Sequence, residues 1–134
     1  MKGKSGYLHR LICNGGVIPK LSRIYGVSCL LEGGEGGHGC DVGIFSGNQR
    51  RIAVEISVTT MPEHERDQVM RDLNNGWNRV IVIAVFTSEK KDGVTIVDEK
   101  RSSEKKKRIA ELVGNNPRVS VYTLAEFVKE KIHV

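Results

Sequence analysis

Long apolar runs are missing from this chain: nowhere do about 18 uninterrupted apolar residues occur, the length that spans a bilayer. The opening residues MKGKSGYLHRLICNGG contain no extended apolar signal core either. A membrane partner is not expected, and the chain reads as cytoplasmic. Cysteine is scarce. Cys13, Cys29 and Cys40 are odd in number and have no C-x-x-C spacing, which argues against a disulfide framework and a zinc knuckle. The histidines His9, His38, His64 and His133 are scattered without zinc-ligand spacing. No G-K-[ST] string is present, so an ATP-binding P-loop is excluded. The run from Gly34 to Gly39 matches a bare G-x-G-x-x-G, but a strand rather than a helix is expected after it, which removes the nucleotide-loop reading. Aromatic residues make up 5%, too few for a base-stacking platform.

What remains is the composition of one domain spanning residues 1–134. Apolar residues at 39% supply a core, and charged residues at 28% are too balanced for a disordered chain. A net charge of +5 favours anionic partners such as nucleic acid without demanding them. Much of the excess lies in Lys90-Lys91, Lys100-Arg101 and Lys105 to Arg108, runs that serve either as solvated faces or as phosphate contacts.

Residues 7–25 carry Leu8, Leu11, Ile12, Ile18, Leu21 and Ile24 at helical spacings, with Gly15, Gly16 and Pro19 expected to break or kink the helix. Residues 27–31 read as a strand, 33–39 as a glycine-rich turn and 40–45 as a second strand. The turn Ser46-Gly47-Asn48-Gln49 leads into the clearest alternation in the chain, residues 51–59. Ile52, Val54, Ile56 and Val58 share one face of it; Ala53, Glu55, Ser57 and Thr59 share the other. Thr60 to Glu63 has the form of a capping box, opening a helix with Val69, Met70 and Leu73 on its apolar side and ending near Gly76. Trp77 beyond it is expected to close the core. Residues 79–86 are almost continuously apolar, as in a strand covered on both faces. Residues 87–102 read as an excursion or loop with a weak strand signal over Val94 to Val97, 103–113 as a helix, Val119 and Val121 as a last strand, and Thr123 with Glu126 as a second capping box before a terminal helix.

Two acids stand in inhospitable places. Asp41 begins the second strand beside Cys40 and Val42, and Glu55 lies inside the third between Val54 and Ile56. A carboxylate among apolar neighbours costs free energy unless it is paired, and hard cations bind through such oxygens. The alternative is that each acid lies at a strand end, paired with Arg50, Arg51 or Arg79. A nucleophile such as Cys40 or Ser57 would need a positioned histidine, and none is assignable from sequence.

A helix, a strand, a strand with an acid, a turn, a strand with Glu-x-polar, a helix and a buried strand together resemble the PD-(D/E)XK nuclease superfamily. The likeness runs from about Tyr7 to Phe86 and is closest to the restriction-endonuclease-like and Holliday-junction-resolvase-like members. The resemblance implies an α/β fold: an αβββαβ core with a mixed central sheet flanked by helices, followed here by a C-terminal α-β-α extension. It implies Mg2+ or Mn2+ held by Asp41 and Glu55, with Glu32 as a further ligand, and hydrolysis of DNA phosphodiester bonds. Ser57 departs from the pattern, since the family has lysine there, and a neutral hydroxyl cannot supply a fixed positive charge. Gln68, Arg66 or Lys20 would then be the displaced helper. Two functions therefore stand side by side: a metal-dependent nuclease, and a catalytically degenerate module that binds nucleic acid or a protein partner, either as a homodimer or within a larger multidomain protein.

Overall fold

The computed structural model describes residues 3–23, 28–31 and 40–132. Glu32 and His38 lie outside the described residues, as does His133. Helix α1 (Gly3–Ile12) runs into a π-helical turn (Cys13–Val17) and then α2 (Ile18–Leu21). Gly15 and Gly16 therefore do not break the helix as expected. They sit in a widened turn, with Pro19 in the first turn of α2, where a missing N–H costs nothing.

Strands β1 (Ser28–Leu31), β2 (Val42–Ser46) and β3 (Gln49–Ser57) form an antiparallel meander. Gly47 supplies a φ of 60° in the two-residue turn between β2 and β3. After α3 (Pro62–Asn74) the chain returns as β4 (Arg79–Ala84), parallel to β3, with Ser57 opposite Ala84. Strand β7 (Val119–Thr123) adds in parallel beside β4, giving a mixed sheet in the order β1-β2-β3-β4-β7. The architecture is thus α/β, a mixed sheet flanked by helices.

Alternation on β3 decides what each face meets. Ile52, Val54 and Ile56 pack with Ile12, Val17, Leu21, Ile81, Ile83 and, from α5 (Leu124–Lys129), Phe127. The opposite face puts Ala53, Val80 and Val82 against Val69 of α3 and Ile109 of α4 (Glu99–Val113). Trp77 is buried there, edge-on to Phe45 with ring centroids 5.2 Å apart. Parallel neighbours require crossovers, which is why α3 and α4 cover one face together.

Four sequence expectations are corrected. The segment 87–102 is ordered as a hairpin, β5 (Thr87–Glu89) with β6 (Thr95–Val97), and α4 begins at Glu99 rather than near residue 103 because Asp98 caps it, accepting from the Arg101 amide at 3.0 Å. Thr60 forms no capping box: Met61 is the N-cap residue and gives α3 no side-chain cap. Met70 is 44% exposed, so the sheet-facing side of α3 is the row Glu65, Val69 and Asp72. The Thr123–Glu126 capping box is present as expected. Among the described residues no helix is long and apolar enough to cross a membrane.

Candidate functional site

The second face of β3 carries Glu55 and Ser57 under α3, and α3 returns two more acids toward it. Glu65, Val69 and Asp72 recur at i, i+4 and i+7, so all three side chains face the sheet. Glu55, Glu65 and Asp72 are 3%, 1% and 0% exposed. Three carboxyls have been taken out of water within one layer of the fold, where charge is costly.

Compensation is incomplete. Arg71 Nη2 stands 3.7 Å from Glu55 Oε2 and 3.6 Å from Asp72 Oδ1, ion-pair distances longer than hydrogen bonds. Among the described residues, Glu55 Oε2, Glu65 Oε1 and both oxygens of Asp72 lack a hydrogen-bond partner. Burial, and then the adjoining Asp72, push the Glu55 carboxyl far above the usual carboxylate range. Its protonated form is therefore favoured.

Glu65 lies nearer the carboxyl end of β3. Burial raises its carboxyl to about 7, opposed first by a hydrogen bond from Ser57. The Ser57 hydroxyl also lies 3.4 Å from the Thr60 carbonyl. From α4, Lys105 turns inward on the same side of the helix as the buried Ser102 and Ile109. Its ammonium donates to the carbonyls of Ser57 at 3.0 Å, Val58 at 3.2 Å and Val85 at 3.2 Å. Burial lowers it to about 8, and the nearby Glu65 opposes that shift.

Asp41 precedes β2 and approaches β3 from the side, its amide donating to Val54 O at 3.0 Å. Its Oδ2 accepts from the Ile56 amide at 2.6 Å, and its Oδ1 lies 3.0 Å from His9 Nε2 on α1. The hydrogen bond that His9 donates to Asp41 is the main reason His9 is raised to about 10; Cys13, whose Sγ is 3.9 Å from His9 Nδ1, adds to it.

The structure places Asp41 just before β2 rather than at the start of the strand, near enough to Glu55 on β3 to help raise its carboxyl, but gives the two acids different partners. Those partners are His9 and Arg71, while Arg50 donates to the Asn75 carbonyl. Ser57 joins Glu65. Gln68, one turn from Glu65, is half-buried. Arg66 pairs with Asp67 in solvent, and Lys20 holds the Phe127, Val128 and Glu130 carbonyls at the end of α5, which places both away from Glu55. Cys13 and Cys40 are buried, and the Cys40 thiol donates to the Val42 carbonyl at 3.3 Å.

Sequence reasoning missed His9, Glu65, Arg71, Asp72 and Lys105. Their signal was phase: acids at 65 and 72 in step with Val69, and a lysine in step with Ser102 and Ile109. Among the described residues no group of three or more His, Cys, Asp or Glu is placed to hold a metal ion; the two candidate carboxylates are Glu55, whose buried Oε2 has no hydrogen-bond partner among the described residues, and Asp41, whose oxygens face His9 and the Ile56 amide. Magnesium commonly takes only one or two protein carboxylates and fills its shell with water and substrate phosphate, so a ready cage of three protein ligands is not required. In comparisons with known proteins, no family model, no curated protein and no solved structure matches this chain.

Proposed function

We propose that the chain is a metal-dependent phosphodiesterase acting on DNA, built on a restriction-endonuclease-like core. The observation that carries this reading is the buried Glu55 on β3, whose Oε2 has no hydrogen-bond partner among the described residues, with Asp41 just before the adjoining β2. The antiparallel meander followed by a parallel β4 agrees with the layout expected of such a core. A net charge of +5 suits a polyanionic substrate.

Glu55 and Asp41 would hold Mg2+ or Mn2+, which when bound supplies Lewis-acid stabilisation of phosphoryl charge and a more acidic water. His9 and the Ile56 amide orient Asp41, and α3 excludes bulk water from Glu55. Glu65 holds a proton near neutrality, where a group can both accept and give one. Hydrolysis forms a bond from water oxygen to phosphorus and breaks the bond to the leaving nucleoside oxygen. One water proton goes to the medium or to Glu65, and the leaving oxygen gains a proton.

A second reading, a nuclease-fold module that binds nucleic acid without cutting it, is favoured by one feature: both oxygens of Asp41 are engaged by His9 and the Ile56 amide. Incubation of duplex, branched and single-stranded DNA with Mg2+ or Mn2+ separates the two. The enzyme reading expects cutting that stops with EDTA and disappears in folded Asp41→Ala and Glu55→Ala proteins. Salt-sensitive binding without any cutting leaves the module.

A further inference from the structure

Ser57 lies two residues beyond Glu55 on the same face of β3, and its hydroxyl brings no charge to that end of the strand. We propose that Lys105, reaching over from α4, is the catalytic cation of this site, its ammonium contacting a non-bridging oxygen of the scissile phosphate. The proposal rests on the phosphodiesterase reading and assigns that site a residue from a different element.

Placement carries the inference. The three carbonyls that hold Lys105 belong to Ser57 and Val58 at the end of β3 and to Val85 at the end of β4. These are the carboxyl ends of two neighbouring parallel strands, and ligands of α/β sheets bind in the space just beyond such ends. The ammonium is fixed before any substrate arrives. Ser102, one turn earlier on α4, accepts from the Phe86 amide at 2.9 Å and so ties the helix to the end of β4. Electrostatic catalysis depends on charge positioned in advance in this way.

Neighbouring bases behave differently. Lys106 pairs with Glu126 at 2.8 Å, Arg108 with Glu63 at 3.4 Å, and Arg101 lies over the Phe86 ring, each at the protein surface. Lys105 turns inward and bears the desolvation cost, facing Glu65, whose buried Oε1 has no hydrogen-bond partner among the described residues. Arg71 is the other base at the acids, but its Nη2 stands between Glu55 and Asp72, at 3.7 Å and 3.6 Å. Two of the three Lys105 bonds are 3.2 Å long, so exchanging one carbonyl for a phosphate oxygen replaces a long bond to a neutral acceptor with one to an anionic acceptor.

The test compares the full chain with Lys105→Met, Lys105→Gln and the double variant Ser57→Lys/Lys105→Met. Duplex DNA cleavage with Mn2+ is measured alongside DNA binding in Ca2+ and thermal unfolding. Lys105→Met is expected to lower kcat by about 100-fold with KM little changed and the fold intact. Lysine at position 57 is expected to restore much of that loss, which a purely structural role for Lys105 does not predict. If the Met protein fails to fold, Lys105→Gln, which keeps an N–H donor without the charge, gives the same reading. Unchanged cleavage in the single variants, or no rescue in the double one, overturns the proposal. Should the unaltered chain cut nothing, the phosphodiesterase reading falls separately. Binding in Ca2+ then decides whether Lys105 contacts phosphate: loss in Lys105→Met supports the contact, and equal binding removes it.

Discussion

His9 Nε2 lies 3.0 Å from Asp41 Oδ1, joining the first helix to a candidate ligand just before β2. The pair gives a defined pH response. Because the folded value for His9, about 10, is above the ordinary value of about 6.5, its stabilisation is complete below pH 6.5 and is lost as pH rises through 10. His9→Gln should cost roughly 1–2 kcal/mol at pH 6 and nothing above pH 10. Urea unfolding of both proteins across that range checks it; a cost independent of pH means the charge is not what matters.

Glu65 predicts the opposite kind of variant. Its folded value of about 7 exceeds the ordinary carboxyl value, so the folded state keeps a proton that the unfolded chain releases. Stability present at low pH is therefore lost as pH rises from about 4.5 to 7 and stays lost above. Glu65→Gln should be more stable than the natural chain by roughly 1–3 kcal/mol at pH 8 and no more stable at pH 4. Its cleavage activity should fall at the same time.

Cation binding should release a proton. Burial and Asp72 keep Glu55 protonated, whereas a metal ligand must be ionised. Titration with Mg2+ or Mn2+ in two buffers of different ionisation enthalpy should yield about one proton per ion bound. Affinity should climb with pH, and Glu55→Gln should abolish both effects. Heats identical in the two buffers would remove Glu55 from the ligand set.

The core makes a plainer prediction. Ile56 and Ile83 face each other across the β3–β4 pair and are 3% and 0% exposed. Truncating either to alanine should cost about 2–5 kcal/mol in denaturant unfolding, through lost transfer energy and the cavity left behind. A loss well below that range would show that the site collapses around the deletion.

Much of this arrangement was legible in the residues themselves. Alternation from Ile52 to Val58 assigned both faces of β3, and the apolar run Val80 to Val85 marked a strand buried on both sides. Asp41 and Glu55 stood out because acids are rare among such neighbours. The acids on α3 did not, since the low apolar content of residues 62–74 reads as a solvent-facing helix, and only the sheet beneath reveals which side is covered. Lys105 was hidden for a related reason. In the run Lys105-Lys106-Lys107-Arg108 only the phase with Ser102 and Ile109 distinguishes the inward lysine from its neighbours; what it reaches, the ends of β3 and β4, lies far away in sequence. The β5–β6 hairpin was masked by its turn-rich, charged composition, and the start of α4 by an aspartate that reads equally well as loop.

The change from antiparallel to parallel pairing at β3 also divides the folding of this chain in time. The β2–β3 hairpin closes over a two-residue turn, a microsecond event, whereas β4 and β7 can join only after whole helices have been laid across the sheet. Until α3 docks, Glu55 remains in water and carries no desolvation penalty. The meander can thus assemble unopposed, and the cost of confining Glu55, Glu65 and Asp72 together falls on the late step. Variants that neutralise those acids should then speed the closing of the second half of the sheet while leaving the first hairpin's rate alone.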